Sequence, residues 1–483
     1  MAAVELRVDL STLIDAVVTG DETRIISSAR SLLEQERNAD VLLGRIGMMA
    51  TKGDPEGHVS ITIAAAAMLA RFLRARPAPL DTEVPPQIRA LPLFMRALIT
   101  AAPAIRNGRN VSYEKPQPLF PSAFLDQNKS VNQVMNEAIQ QNDAQLAERI
   151  LLGLYGTGAD YRTLQVRAYE AVSTTFANGG HPLMYTARGF QLLDAVEWGE
   201  YVPELLHWLA PHLPLQPNKP EAAWMQTVRE FIADTQKHSL ASVRTRLSAP
   251  KNANALPLQQ VLLSNAETAE VCQNVYDAII PGQASPRAVA SVIALAAAEI
   301  IQKVGDEDRD LFIRVSHGLL FASAVRNVFS QVQDEEVYNM VFTSAAYINA
   351  LYKEVTEQVQ EAARPAVAAT TTATGGGLIA ISQLETLEAQ LKEKDLRGAL
   401  HTAQRYLNLG HDARALFGTI SLVAALNDTT LDQGHSLQIV QAAGEEFINW
   451  PKDLVGTKID SYLHIALRAA ALGKRDSLAS QLA

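Results

Sequence analysis

The stretch from Asp21 to Ala50 reads DETRIISSARSLLEQERNADVLLGRIGMMA, and the stretch from Asp395 to Ala424 reads DLRGALHTAQRYLNLGHDARALFGTISLVA. Laid side by side without gaps, they carry the same residues at spaced positions: Ala29 and Ala403, Leu33 and Leu407, Ala39 and Ala413, Leu42 and Leu416, Gly44 and Gly418, Ile46 and Ile420, Ala50 and Ala424. The three- and four-residue spacing of the apolar residues is typical of one buried helical face. The two stretches therefore predict two copies of one helical unit.

The same order of features can be followed through two further, more divergent copies. It is a short helix, an Asx or Gly-Asp turn, a second helix, a third apolar helix, a break, and a helix that begins at a histidine. No alternating strand pattern occurs, and Ala and Leu, which favour helix, are abundant. Because repeats of long period bury a shared core, we predict an all-α protein of four divergent multi-helix repeats packed around a common centre. The predicted copies span 1–110, 111–250, 251–363 and 378–483, with a flexible low-complexity linker at 364–377.

Composition excludes several classes of protein. The 483-residue chain has a net charge of −10 with both signs mixed and no basic stripe, which argues against a nucleic-acid partner. Cys272 is the only cysteine, so the sequence has no disulfide framework and no thiolate metal cluster. The N-terminus does not resemble a signal peptide. The apolar run 59–72 is shorter than the roughly 20 residues that a membrane span needs. We expect a cytoplasmic protein without a membrane partner.

Four histidines recur in similar contexts: Gly57-His58-Val59, Gly180-His181-Pro182, Ser316-His317-Gly318 and Gly434-His435-Ser436. We predict that each follows a break and opens a helix rich in small residues, so that four imidazoles meet at the centre. The positive end of a helix dipole disfavours imidazolium and leaves the neutral ring, which is the form that binds metals. The alternative is a cap or wedge kept by duplication, although Ser, Thr, Asp or Asn would cap as well.

Four imidazole nitrogens suit iron, copper, zinc or nickel and do not suit magnesium or calcium. We therefore predict a transition-metal site with His58, His181, His317 and His435 as ligands. Lys353 could add an oxygen ligand if carbamylated, and the alternative is a lysine that snorkels at a helix end. Substrate-pocket walls are predicted four residues after each of three histidines, at Thr62, Tyr185 and Phe321, with core packing as the alternative. Carboxylates that could balance the positive charge of the site are Glu197, Glu445 and Glu446.

The segments Gly180 to Tyr185 (GHPLMY) and Ser316 to Phe321 (SHGLLF) resemble those of the questin oxidase-like family. They are also similar to a helical domain that accompanies some Rieske-type proteins. The resemblance extends loosely from about residue 10 to about residue 470. It implies a helical protein that opens polycyclic aromatic or quinone rings with oxygen, with the four histidines as ligands of a non-haem iron. No Cys-His pair of a Rieske cluster is present, so cluster electrons would come from an electron-donor protein.

The sequence thus leads us to expect a metal-dependent oxidoreductase, a non-haem iron oxygenase with Fe²⁺ as cofactor, although another transition metal remains open. Its partners would be a small apolar or aromatic substrate and O₂. Two alternatives stay open from the sequence: a non-catalytic α-helical scaffold, and a haem-binding protein that uses two of the histidines. Metal analysis separates the first expectation from the scaffold.

Overall fold

The computed structural model describes residues 9–35, 38–78, 86–111, 116–125, 128–196, 198–214, 221–235, 250–359, 377–454 and 459–476. Within these ranges the secondary structure is α-helical with short 3-10 turns and no strand, and Asn427 and Arg475 form an isolated antiparallel bridge. The predicted all-α class is confirmed. The predicted linker 364–377 lies outside the described residues, except that a helix begins at Gly377.

The described residues form 23 α-helices. Those in the first half of the chain are Ser11–Thr19, Glu22–Gln35, Ala39–Thr51, His58–Leu73, Leu91–Gly108, Ser122–Leu125, Val131–Gln140, Ala144–Gly156, Tyr161–Ser173, His181–Ala195, Val202–Leu209 and Trp224–Thr235. Those in the second half are Leu258–Leu262, Thr268–Ile279, Pro286–Gln302, Arg309–Gln331, Asn339–Gln358, Gly377–Lys392, Leu396–Asn408, Ala413–Ala424, Thr429–Asp432, His435–Ile448 and Asp460–Leu472.

The two stretches that match without gaps have the same secondary structure. Each forms two helices, and the second helix begins at the aligned residues Ala39 and Ala413. The aligned glycines Gly44 and Gly418 both pack closely against the end of a helix that carries a site histidine. A Cβ atom on Gly44 would lie 2.7 Å from Ala195 Cβ, and one on Gly418 would lie 3.1 Å from the backbone of Leu73. The helices of copies one and four therefore correspond, whereas the fourfold repeat as a whole stays a prediction.

A predicted turn illustrates how sequence sets the local structure. Asn142 has a left-handed backbone with φ of 58°, and the Asp143 side chain accepts a hydrogen bond from the Leu146 N–H at 2.9 Å. Asn tolerates this conformation, and Asp satisfies an N–H that the next helix would otherwise leave unpaired. The two residues therefore end one helix and begin the next, as predicted.

Four helices form a closed ring in the middle of the fold. We call His58–Leu73, His181–Ala195, Arg309–Gln331 and His435–Ile448 the first, second, third and fourth histidine helix. The first packs against the second, the second against the third, the third against the fourth, and the fourth against the first. Buried alanines line these helices, among them Ala64 to Ala67, Ala187, Ala322, Ala324, Ala442 and Ala443. Their small side chains allow the helices to approach closely.

One feature of the prediction is wrong. Three histidines are the first residue of their helix, but His317 lies inside the third histidine helix, which begins eight residues earlier at Arg309. The Asp308 side chain caps this helix by accepting from the Leu311 N–H at 3.0 Å. Residues 309–316 contain no glycine or proline, so the helix continues through Ser316 into the histidine.

The stretch Ile88–Gly108 is long and apolar enough to cross a membrane by length and composition alone. In this fold, 61% of its most apolar window is buried inside the protein. It packs against helix Ala39–Thr51 and against the first histidine helix. It therefore forms part of the core beside the ring.

Candidate metal site

The four histidines lie together at one end of the ring of histidine helices. The ring centroids of His58 and His181 are 4.9 Å apart, and those of His317 and His435 are 4.7 Å apart. Between these pairs, His181 and His317 are separated by 5.4 Å, and His58 and His435 by 6.1 Å. Each imidazole thus has two others as neighbours, and the order around the ring is the order in the chain.

The geometry is that of two close pairs that face each other. The Nε2 atoms of His58 and His181 are 3.1 Å apart, and so are those of His317 and His435. Two nitrogens bound to one zinc ion at about 2.0–2.1 Å lie about 3.3 Å apart in a tetrahedral site. Each pair is close to that spacing. In the part of the chain that the structure describes, however, no group of three or more His, Cys, Asp or Glu side chains has the spacing of a complete metal-ligand cluster.

The other ring nitrogen of three histidines faces a backbone carbonyl. His181 Nδ1 contacts the Asn178 oxygen, and His435 Nδ1 contacts the Asp432 oxygen, each three residues earlier. His317 Nδ1 lies 3.2 Å from the carbonyl oxygens one turn earlier in its own helix, those of Ile313 and Arg314. A carbonyl oxygen can only accept a hydrogen bond, so Nδ1 carries the hydrogen in each neutral ring.

His58 reaches the same state through a tyrosine. The Tyr185 hydroxyl donates to the Glu56 carbonyl oxygen at 2.6 Å, and its oxygen lies 3.4 Å from His58 Nδ1. Because the hydroxyl hydrogen is used on Glu56, the tyrosine oxygen is left to accept from His58. A hydrogen on Nδ1 of His58 is the arrangement that satisfies both groups.

With the hydrogen on Nδ1, Nε2 carries the lone pair in His181, His317 and His435. The lone pairs of His317 and His435 face each other across 3.1 Å, and the Nε2 atom of His181 lies at the same distance from that of His58. Such a contact is repulsive unless a cation lies near the nitrogens, and the cation can be a metal ion or a proton. Outer hydrogen bonds from Nδ1 to a carbonyl oxygen are also the usual support of histidines that bind metals through Nε2.

Burial disfavours protonation of the histidines. It lowers the pKa of His181 to about 3 and that of His317 to about 4, because the charged imidazolium is removed from water. Burial also lowers the pKa of His435. His181 and His435 are only 8% and 4% exposed, whereas His58 and His317 are half-buried. The imidazoles of His181, His317 and His435 are therefore neutral near pH 7, and His58 and His317 are the more accessible members of the group of four.

A left-handed glycine precedes each histidine that begins a helix. The φ angles are 81° at Gly57, 83° at Gly180 and 76° at Gly434, a conformation that residues with a side chain rarely adopt. This turn places the imidazole on the first residue of the helix. In His181 and His435 it also folds Nδ1 back onto the carbonyl three residues earlier. The recurring Gly-His dipeptide in the sequence thus has a direct geometric cause.

Two buried aspartates that the sequence analysis missed hold these turns. The Asp54 carboxylate accepts from Gly57 N–H at 3.1 Å and from Ser60 N–H at 2.7 Å. Asp432 accepts from Gly434 N–H at 2.9 Å and from the N–H and hydroxyl of Ser436. The available signal was an Asp three or four residues before the histidine with a Ser just after it. The unequal spacing hides this pattern in a gapless comparison.

The side chains of the three predicted pocket residues pack between neighbouring histidine helices. Thr62, Tyr185 and Phe321 are at most 2% exposed. Each packs on the glycine before a neighbouring histidine: Tyr185 on Gly57, Phe321 on Gly180 and Thr62 on Gly434. These contacts support the alternative of core packing. A role in a substrate pocket stays a prediction.

Below the histidines, the interior of the ring holds charged side chains. Arg188 reaches from the second histidine helix to the fourth, where its Nη1 is 3.8 Å from Glu445 Oε2. The same nitrogen donates to Gln191 Oε1 at 2.6 Å. Arg326 lies 3.6 Å from Glu445 and bonds Glu446 at 2.7 Å. The alanines therefore make room for an ion-pair network, and the two predicted carboxylates are committed to arginines.

The structure shows no contact between the remaining candidate residues that it describes and the four site histidines. Lys353 is half-buried on helix Asn339–Gln358, and its role as a ligand stays a prediction. Glu197 lies outside the described residues. Among the other histidines, His207 pairs with Glu148 at 2.9 Å, and His212 packs on the Tyr185 ring at 4.6 Å between centroids.

Comparison of the chain with family models, curated proteins and solved structures finds no match. The resemblance to the questin oxidase-like family consequently rests on the short motifs alone and stays a prediction.

Proposed function

We propose that the protein binds one transition-metal ion through His58, His181, His317 and His435 and acts as a metal-dependent oxidoreductase. In this proposal it is a non-haem iron oxygenase that oxidises or cleaves an apolar aromatic or quinone-like substrate. One observation carries the proposal: four imidazoles lie together in two pairs with Nε2 atoms 3.1 Å apart, where burial disfavours protonation of His181 and His317.

The donor set favours a borderline transition metal. Imidazole nitrogen suits iron, copper, zinc and nickel, and hard cations such as magnesium prefer oxygen. Iron is chosen because of the motif resemblance, and iron held there would supply redox chemistry with O₂. The hydrogen bonds from Nδ1 of His181, His317 and His435 fix the orientation of those rings.

The accessible side of the ring indicates where a substrate would approach. His58 and His317 are half-buried, whereas Arg188 and Glu445 form a buried ion pair between the second and fourth histidine helices. A charged network is a poor surface for an apolar molecule, because burying ions without water costs free energy. We therefore place the substrate at the His58 and His317 side, and not among the alanines inside the ring.

Metal analysis of the purified protein is the decisive experiment. We expect Fe²⁺ or another first-row metal at one equivalent per chain, with binding of added Zn²⁺ or Fe²⁺ to the metal-free protein. Two equivalents would mean that each histidine pair binds its own ion. Absence of any metal binding would overturn the proposal and favour a helical scaffold, and a Soret band would favour haem.

The oxidoreductase part needs a separate test. Fe²⁺-loaded protein, supplied with a reductant and a panel of quinones and polycyclic phenols, should consume O₂ faster than the iron-free protein. A His435→Ala variant should lose this difference. If metal binds but no member of the panel raises O₂ uptake above that of the variant, the oxygenase assignment fails while the metal site stands.

A further inference from the structure

A buried carboxylate without a basic partner is bonded to the turn that carries His58. Asp54 is 5% exposed and stands four residues before His58. Its carboxylate accepts from Gly57 N–H at 3.1 Å, from Ser60 N–H at 2.7 Å and from the Ser60 hydroxyl at 2.8 Å. Among the described residues, no lysine or arginine forms an ion pair with it, and the negative charge of Glu56 adds to the effect of burial in raising its pKa.

Asp432 is the equivalent carboxylate at the fourth histidine helix, and it differs from Asp54 in having a basic partner. Asp432 caps the fourth histidine helix as Asp54 caps the first, but Arg309 Nη2 lies 3.6 Å from Asp432 Oδ2. The charge of Asp432 thus has a partner within the protein. Asp54 performs the same capping with its charge unpaired.

An unpaired buried carboxylate costs free energy, and burial accordingly raises the pKa of Asp54. Helix capping alone does not require the charge, since Ser, Thr or Asn caps a helix about as well as Asp and is neutral. A divalent ion bound by four neutral imidazoles would carry two positive charges that no anionic ligand balances. The two uncompensated charges are of opposite sign, and Asp54 is bonded to the turn that carries His58.

We infer that the negative charge of the Asp54 carboxylate balances part of the positive charge of a divalent metal ion bound by the four histidines. Asp54 is a positioning residue, which sets metal affinity and reduction potential through its charge and the turn that carries His58. The three hydrogen bonds to Gly57 and Ser60 keep the carboxylate on the helix cap, so it does not act as a ligand. This inference rests on the proposed metal site.

The test compares Asp54→Asn with two variants that separate charge from capping. Asp54→Asn keeps the shape and removes the charge. Ser60→Ala removes one hydrogen bond to Asp54 and keeps its charge. Asp143→Asn removes the charge of an exposed aspartate that caps helix Ala144–Gly156 through one backbone hydrogen bond, which controls for net charge and for a generic cap.

Zn²⁺ affinity is measured by competition with a chelator, and the Fe³⁺/Fe²⁺ potential by spectroelectrochemistry. We expect Asp54→Asn to weaken Zn²⁺ binding roughly 10- to 100-fold, the range for outer partners of metal ligands. It should also shift the potential to more positive values, since lost negative charge destabilises Fe³⁺ more. Ser60→Ala and Asp143→Asn should stay within about threefold of wild type and leave the potential unchanged.

If wild-type protein binds neither ion, the proposed metal site itself fails. If wild type binds and Asp54→Asn behaves like Ser60→Ala and Asp143→Asn, the charge partnership alone is overturned. Should Asp54→Asn be too unstable to purify, Glu56→Lys replaces it. Glu56 is exposed, and a positive charge beside Asp54 should weaken Zn²⁺ binding severalfold, so an unchanged affinity would equally overturn the inference.

Discussion

The two histidine pairs are held in different ways although their Nε2 atoms have the same 3.1 Å separation. In the pair of His317 and His435, both Nδ1 atoms face backbone carbonyls. In the pair of His58 and His181, one anchor is a carbonyl and the other is the side chain of Tyr185. The same geometry is thus reached with two backbone anchors in one pair, and with one backbone anchor and one side-chain hydroxyl in the other. The two pairs should therefore respond differently to substitution.

The strongest test of the comparison asks whether the pairs form one site or two. If the two pairs share one ion, His181→Ala and His435→Ala should each abolish stoichiometric Zn²⁺ binding. Each variant leaves only three imidazoles, which hold the ion far more weakly than four. With independent pairs, each variant would keep half the binding of wild type. Isothermal titration of Zn²⁺ into metal-free protein distinguishes the two, and exposed His401→Ala is the control that should bind as wild type.

Acid should destabilise the metal-free protein through both pairs. The pKa values of His181 and His317 are about 3 and about 4 in the folded protein, and an unfolded histidine has a pKa of about 6.5. Between these values the unfolded chain binds more protons, so stability falls as the pH falls below about 6.5, by up to roughly 1.4 kcal/mol per pH unit for each histidine. Urea unfolding from pH 7 to pH 4 measures this slope. His181→Gln should flatten it and His401→Gln should not, and a flat wild-type profile would contradict neutral buried imidazoles.

Helix content and the meeting of four histidines could be predicted because both leave local marks in the sequence. Apolar spacing marks the helices, and the Gly-His dipeptide marks the left-handed turn at Gly57, Gly180 and Gly434. The third copy was mispredicted because Ser316 needs no such turn and Asp308 starts its helix earlier. The contact of Arg188 with Glu445 could not be predicted, since it joins helices that are far apart in the chain and not neighbours in the ring.

The difference between these helix starts leads to a prediction on stability. Gly434→Ala should destabilise the protein by about 2–4 kcal/mol, because left-handed backbone disfavours a side chain and the new Cβ would collide with Thr62. Ser316→Ala, at the corresponding position of the third copy, should cost only about 1 kcal/mol through the lost hydrogen bond to the Phe312 carbonyl. Urea unfolding compares them, and equal losses would mean that the glycine turn does not matter.

The smallest expected effect concerns the hydroxyl that distinguishes the two pairs. Tyr185→Phe removes the acceptor 3.4 Å from His58 Nδ1 but keeps the ring on Gly57, so the fold should persist and Zn²⁺ affinity should fall about tenfold or less. Tyr155→Phe is the matched control, because the Tyr155 hydroxyl also donates to a carbonyl, that of Gly199, away from the histidines. Both variants lose one tyrosine–carbonyl hydrogen bond, so their unfolding free energies should fall by a similar amount, about 1 kcal/mol. Only Tyr185→Phe should alter metal affinity. If the two variants bind Zn²⁺ equally well, His58 does not depend on the tyrosine, and the contrast between a side-chain anchor and a backbone anchor has no functional consequence.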